Sequence, residues 1–342
     1  MRIELGHRAD TGNSGVEGPA PTPAASTVLA IEAKGLVKRF DGTTAVDGVD
    51  IAVPQGAIYG ILGPNGAGKT TTLRMLLGII EPDAGWRKIL GHRDPQQIAR
   101  RIGYLPEERG LYPAMKSVEA IAFMGALRGV PLSEGRRRGR ELLENHGLGH
   151  AAERQIRHLS KGMAQTVQLL GTLVHEPALV ILDEPFSGLD ALNQGKLERM
   201  IRALAAKGTT VIFSTHVIAH AERLCENIAI IAGGKVPFAG AVDAARDRIP
   251  PQVRLETRES NGPWRAALPA DAEPDSKAGG GTFWNFSLPS GGVEPMLRAL
   301  IEGGAGIVSL SIERAGLHEV FVNIAGEAAA RALEEDDAEE AQ

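Results

Sequence analysis

Gly63-Pro-Asn-Gly-Ala-Gly-Lys-Thr-Thr71 fits the pattern G-x-x-x-x-G-K-[ST], and its neighbours fit a phosphate-binding loop. Ala57 to Leu62 reads as a short apolar strand entering the loop, and Thr70 to Ile80 as a helix leaving it. Gly63, Gly66 and Gly68 let the backbone fold back so that N–H groups of the loop, which also contains Pro64, Asn65 and Ala67, converge on one anion. The partial positive charge of the helix N-terminus, where Thr71 sits, adds to that attraction. Lys69 is placed to contact the β- and γ-phosphates and Thr70 to hold Mg²⁺. The reading is nucleoside triphosphate binding.

A triphosphate site that turns over needs a metal partner and a group that orients water. Downstream, Leu179-Val-Ile-Leu-Asp183-Glu184 ends a second apolar strand in two carboxylates, and this strand is expected to lie beside the first. Asp183 then belongs to the Mg²⁺ shell and Glu184 to the attacking water. A carboxylate within hydrogen-bond reach of that water polarises it, and Lys69 with backbone donors stabilises the charge that develops.

Wider features set bounds on the rest. The 342 residues are enough for two domains, and 43% hydrophobic content is that of a chain with a full core. A net charge of −5 does not suggest a chain that binds nucleic acid as a whole. The longest apolar runs are strand-sized, far short of the ~20 residues that cross a bilayer, so any membrane work needs a second, spanning chain. The lone Cys225 excludes an internal disulfide and fits a reducing compartment.

In order along the chain, residues 1–27 read as a flexible leader. Strands follow at Leu29 to Ala33, Val37 to Phe40 and Val49 to Val53, a β-rich beginning. Residues from about 96 to 175 read as mainly helical (Ser117 to Gly129, Ser133 to Asn145, Ser160 to Val174), with Ser133 an expected N-cap. Then β and α alternate: strand Ala178 to Leu182, helix Ala191 to Ala206, strand Thr210 to Ser214, helix His220 to Glu226, strand Ile228 to Ile231. Alternation of this kind predicts a parallel sheet with its ligand at the carboxyl ends of the strands. Pro250-Pro251 marks an expected boundary between a first domain, 28–248, and a small α/β domain, 249–326. In the latter, strands are expected near Val253 to Leu255, Phe283 to Leu288 and Ile307 to Ile312, helices at Val293 to Glu302 and Leu317 to Asn323, and a Gly-rich loop at 278–281. Residues 327–342 form an acidic tail, with Glu334 to Glu340 expected to be a solvated, disordered end.

Four more stretches complete a pattern: Val37-Lys-Arg-Phe40, Leu159-Ser-Lys-Gly-Met163, Ser187-Gly-Leu-Asp190 and Ser214-Thr-His216. With the loop and the acidic pair, in this order, residues 29–245 resemble the nucleotide-binding subunit of an ATP-binding cassette (ABC) transporter. The implied fold is α/β: an ABC-type P-loop ATPase with a β-rich subdomain, a parallel-sheet core, a helical subdomain and a small C-terminal α/β domain. The resemblance implies that Phe40 stacks on adenine and that His216 contacts the γ-phosphate beside Glu184. Ser160 and Gly162 would close over the nucleotide of a second ATPase subunit in a head-to-tail dimer, and Asp190 would couple the two sites. A metal site formed by His216 with His220 lacks further ligands. Where the family usually has a metal- and permease-sensing glutamine, Tyr104-Leu-Pro-Glu107-Glu-Arg-Gly-Leu-Tyr112 places Glu107, a carboxylate near Mg²⁺ that adds negative charge beside a triphosphate.

The wording YLPEERGLYP, LSKGM and STHVIAHAERLCENIAII is similar to exporter ATPases of sodium-efflux and drug-resistance systems, and Leu317-His-Glu-Val-Phe321 is similar to the end of their accessory domain. That implies an ATPase at the cytoplasmic face of the cell membrane that drives a multispanning permease, with Tyr104 to Tyr112 as the contact region. The alternative, a soluble cassette acting on ribosomes or DNA, generally carries a second cassette or a long coiled-coil insertion. Neither a second loop motif nor sustained heptads occurs in this sequence. A nucleotide-binding regulator without turnover is disfavoured by the presence of Lys69, Asp183, Glu184 and His216 together.

Overall fold

Val180 and Leu182 pack into one hydrophobic core while Leu179 and Ile181 pack into another, and the same division runs through Leu62 and Ile61, and through Phe213 and Ile212. Side chains alternate along a strand, so an unbroken apolar run is stable only where both faces of the sheet are covered. The computed structural model describes residues 28–108, 110–275 and 282–340. The leader reading for 1–27 and the loop reading for 278–281 lie outside the described residues.

From residue 28 the described part begins with three β-strands, β1 (Leu29–Phe40), β2 (Thr43–Pro54) and β3 (Ile58–Leu62), followed by α1 (Lys69–Leu76), β4 (Ala84–Ile89) and β5 (Ile102–Leu105). A helical stretch follows with α2 (Ser117–Leu127), α3 (Leu132–Asn145) and α4 (Lys161–Leu173). The alternating part comprises β6 (Leu179–Leu182), α5 (Ala191–Ala206), β7 (Thr210–Thr215), α6 (Ile218–Leu224), β8 (Asn227–Ala232), β9 (Lys235–Ala241) and α7 (Val242–Arg246). The last part has β10 (Gln252–Thr257), β11 (Glu273–Asp275), β12 (Thr282–Ser287), α8 (Glu294–Glu302), β13 (Ile307–Glu313), α9 (Leu317–Ala325) and α10 (Glu327–Glu340).

Among the described residues the strands form three sheets, ordered β2-β1-β4, β5-β6-β7-β3-β8-β9 and β11-β12-β10-β13. In the six-stranded sheet all neighbours are parallel except β8 and β9. The strand with the acidic pair does not lie beside the strand entering the phosphate loop: β7 stands between them, paired to both. Two apolar runs of equal quality cannot be ordered by their own composition, since the order depends on where the crossover helices pack.

Other differences have local causes. β1 runs unbroken through Lys34 and Gly35 by absorbing register shifts, so two expected strands are one. Ile102–Leu105, inside the stretch read as helical, is a parallel edge strand next to β6. Helix α3 starts one residue before Ser133 with Pro131 at the N-cap and no side-chain cap, so Ser133 does not have that role. Val118, Ile121, Leu143, Val167 and Leu170 give the helical part its own core, and α4 also lends Leu169 and Leu173 to the main core.

The last sheet has a separate core of Val253, Leu255, Trp264, Trp284, Phe286 and Leu300, with Trp264 and Trp284 edge to face at 5.7 Å. After β13 the chain leaves it. Leu317, Val320 and Phe321 of α9 are buried in the main core with Ala221, Leu224 and Phe238, and the Leu317 N–H donates to Glu222 at 3.3 Å. Thus the helix expected to complete the small domain packs on the first one. Residues 327–340 of the expected acidic tail form α10: Ala330 and Leu333 are buried, and their spacing of three gives the helix an apolar stripe that holds it against α9, while Glu334 and Glu335 are exposed.

Candidate active site at the carboxyl ends of the parallel strands

The phosphate loop is wedged between two hairpins. A β-carbon on Gly68, whose φ is +104°, would lie 2.5 Å from the carbonyl oxygen of Ala45 on β2, and one on Gly63 would strike the carbonyl of Ile231 on β8. Only glycine permits both approaches. The Gly234 N–H donates to the Ala67 carbonyl at 3.1 Å, and the Gly63 N–H to the Thr215 carbonyl at 3.4 Å, so the loop is anchored to strand ends on both sides. Gly66, at φ +74°, and Gly68 make the reversal that leads into α1, whose N-cap is Gly68.

Four strand ends deliver charged groups to this loop. Lys69 Nζ donates to the carbonyls of Gly63 at 2.7 Å and Pro64 at 3.3 Å and pairs with Glu184 Oε1 at 2.9 Å. Glu184 Oε2 is 3.1 Å from His216 Nδ1, and all three side chains are buried. Burial by itself would raise the Glu184 carboxyl, but the hydrogen bond from His216 and the charge of Lys69 outweigh it and hold the group below its usual range. An ionised Glu184 only accepts, so the proton of that bond sits on Nδ1. Glu184 also has φ +44°, a left-handed conformation that costs energy for a side chain of this size and is held by the surrounding structure.

Asp183 is differently supplied. Its Oδ1 accepts from Thr70 Oγ1 at 3.0 Å and from Ser214 Oγ at 2.7 Å, while its buried Oδ2 has no hydrogen-bond partner among the described residues. Burial pushes its carboxyl up, only partly countered by those two hydroxyls. A desolvated carboxylate oxygen beside a threonine hydroxyl is a donor set suited to a small divalent cation. Among the described residues no three His, Cys, Asp or Glu side chains cluster to hold a metal unaided, so such an ion would depend on substrate oxygens as well.

Glu107, just past β5, lines a cleft of 340 Å³ with Asp183, Glu184, Lys161, Gln165 and Ser187. Burial, then the charges of Asp183 and Glu184, raise its carboxyl. Phe40 ends β1 44% exposed, with Lys38 Nζ 5.6 Å from its ring centre, on the hairpin that abuts Gly68. Ser160 and Gly162 open α4: the exposed Ser160 hydroxyl accepts from Met163 N–H at 3.3 Å, and Gly162 packs by Leu189 and Asn193. Asp190 caps α5 by accepting from Asn193 N–H at 2.9 Å. His220 stacks on Phe186 at 3.9 Å and faces Glu198 and Arg223, a packing role rather than a metal site with His216.

Ser214 was not among the expected site residues. On the intervening strand β7, its buried hydroxyl donates to Asp183 and accepts the Glu184 N–H at 2.9 Å, setting both carboxylates at once. A signal for it exists, since a hydroxyl two residues before His216 on a strand shares its face. Gln165 Nε2 similarly donates to the Pro185 carbonyl at 2.8 Å, tying α4 to the turn after Glu184.

The family description "ABC transporter" matches residues 46–187, which include the loop and both carboxylates. The daunorubicin/doxorubicin resistance ATP-binding protein DrrA of Streptomyces peucetius is 34% identical over 325 residues, 91% of this chain and 97% of its own. The chain belongs to the ATP-binding subunits of ABC transporters. A Nod factor export ATP-binding protein I of Burkholderia lata is 34% identical across 87% of this ATPase subunit and 98% of the relative. A solved ATP-binding subunit of an ABC transporter is 33% identical with a TM-score of 0.59, over 64% of this chain and 92% of that one. The two curated relatives span more of the subunit than the solved structure does, so the likeness to them extends past the cassette. As a member of this family the subunit binds ATP and is an ATPase coupled to transport.

Proposed function

We propose that this ATPase subunit powers export through a separately encoded, multispanning permease. It would act as a dimer, with a second copy or a close relative, at the cytoplasmic face of the membrane. Relatives named for daunorubicin/doxorubicin resistance and for Nod factor export favour export of an organic molecule over sodium efflux. The observation that carries the catalytic reading is the buried Lys69–Glu184–His216 cluster next to a partnerless Asp183 oxygen.

In the proposed reaction the N–H groups of Gly63 to Thr71 hold the phosphates, and Phe40 stacks on adenine. Lys69 turns from Glu184 to the β- and γ-phosphates, which frees Glu184 Oε1 to accept a proton from the attacking water. His216 keeps Glu184 ionised and oriented. Thr70 and Asp183, with Glu107 lining the same cleft, would hold Mg²⁺, which would supply positive charge to the phosphate oxygens. Ser160 and Gly162 would close over the nucleotide of the partner subunit, and Asp190 would link the two sites.

Among the described residues no helix is long and apolar enough to cross a membrane. A surface suited to a permease segment lies next to the cleft. Leu111, Tyr112, Met115, Phe123 and Leu127 line an apolar groove of 260 Å³, with Tyr112 59% and Leu127 69% exposed. Gln168 lines both the groove and the carboxylate cleft, so a shift in one reaches the other through α4. The test is affinity purification of the tagged subunit from solubilised membranes. A multispanning protein in stoichiometric amount supports the export reading; ribosomal proteins or nucleic acid in its place would overturn it.

A further inference from the structure

The last helix of the chain reaches back to the phosphate loop. Asp336 Oδ2 accepts the Asn65 N–H at 2.6 Å, a contact between residues 271 positions apart. It follows from how α10 is packed. Ala330 and Leu333 are its buried stripe, and Asp336 is the next position on that stripe, three residues on. A helix seated by Ala330 and Leu333 must therefore aim residue 336 at the cassette. An apolar residue would extend the stripe, but the chain has a carboxylate there. Six of the seven residues from 334 to 340 are acidic, so the end of the helix is a concentrated negative charge.

Asn65 belongs to the loop whose N–H groups form the anion receptor, and a carboxylate on one of them is an anion in that receptor. We propose that α10 is an internal competitor of ATP: the Asp336 carboxylate takes the Asn65 N–H that a phosphate oxygen of the nucleotide would otherwise take, and ATP binding displaces the helix. The proposal rests on the assignment of Gly63 to Thr71 as the ATP site. Displacement is local. Gly326, at φ +88°, separates α10 from α9, while α9 stays seated through Leu317, Val320 and Phe321. Release of α10 uncovers Ala330 and Leu333 at the edge of the main core but leaves the residues of α9 and the four-stranded sheet in place. It also clears a negative helix from the loop before a second subunit closes on the same nucleotide.

The test is titration of the full chain with a fluorescent ATP analogue and Mg²⁺, compared with Asp336→Asn, Asp336→Ala and, as control, Glu335→Gln on the exposed side of α10. Both Asp336 variants should bind about tenfold tighter than the full chain, close to 1.4 kcal/mol, and the control should bind like the full chain. Raising salt should bring the full chain towards the Asp336 variants, because the charges involved are near solvent. A non-hydrolysable ATP analogue should speed hydrogen exchange in 327–336 of the full chain. Equal affinities for all four proteins, or exchange in 327–336 unchanged by nucleotide, would overturn the proposal while leaving the ATP site intact. Failure of every protein to bind the analogue would instead overturn the ATP site itself.

Discussion

The phosphate-loop region and the carboxyl-terminal sheet are built by different means. In the first, four parallel strands end in Leu62, Leu105, Leu182 and Thr215, and the residues that follow each end carry charge or hydroxyls into one place. In the second, Trp264, Trp284, Phe286 and Leu300 fill a core with little ionic content, and Trp284 Nε1 donates to the buried Thr257 hydroxyl at 3.0 Å. One region stores its cost in buried charge and in the left-handed Glu184, the other in nothing that a reaction would use. Chemistry and folding stability are thereby separated, and substitutions should separate them too.

The largest effect is expected for Glu184→Gln. Phosphate release should fall by about 10²–10⁴-fold, the range for loss of a general base, while ATP binding persists and an ATP-bound dimer accumulates on size exclusion. An unchanged rate would remove Glu184 from the reaction. On the other side of the comparison, Trp284→Ala should cost about 3–5 kcal/mol of stability in the carboxyl-terminal sheet, read by thermal unfolding. ATP affinity measured by titration should stay as it was, and a parallel loss of affinity would show that the two regions are not separable.

Ser214→Ala sharpens the comparison inside the site. It leaves the Glu184 N–H and Asp183 Oδ1 each short of a partner in a buried place, at about 1–3 kcal/mol, and the turnover number should drop roughly tenfold with a higher Mg²⁺ requirement. The smallest change is expected for Phe40→Ala, where loss of an exposed ring should raise the KM for ATP roughly fivefold, about 1 kcal/mol, and leave the turnover number alone. An effect on turnover would place Phe40 nearer the chemistry than a base-stacking role allows.

The site was more legible than the fold around it. Asp183, Glu184 and His216 stand directly after apolar strands, Lys69 and Thr70 open the helix after the Gly-rich loop, and the structure brings all of them together. The short strands β4, β5 and β9 have no clear signature in the sequence. Ala84–Ile89 contains Gly85 and charged residues, and Ile102–Leu105 is only four residues long, so neither has enough period to read. Ser133 was a sound capping type in the wrong place, because Pro131 with its constrained φ already starts that helix. The acidic end, too, was read from its charge, whereas the two apolar residues before it decide that α10 packs.

Sequence alone determined the phosphate loop and the paired carboxylates, and the family resemblance pointed to the histidine. Their chemistry needs particular residue types at fixed short spacings, and local backbone geometry is enough to place them at strand ends. Tertiary structure decided that β7 separates the strand entering the phosphate loop from the strand ending in the acidic pair, that Ser214 therefore bridges Asp183 and Glu184, that α9 leaves the small sheet for the cassette, and that Asp336 meets Asn65. Each of these depends on which apolar surfaces find one another across tens to hundreds of residues, and that choice is made by packing of the whole chain rather than by any stretch within it.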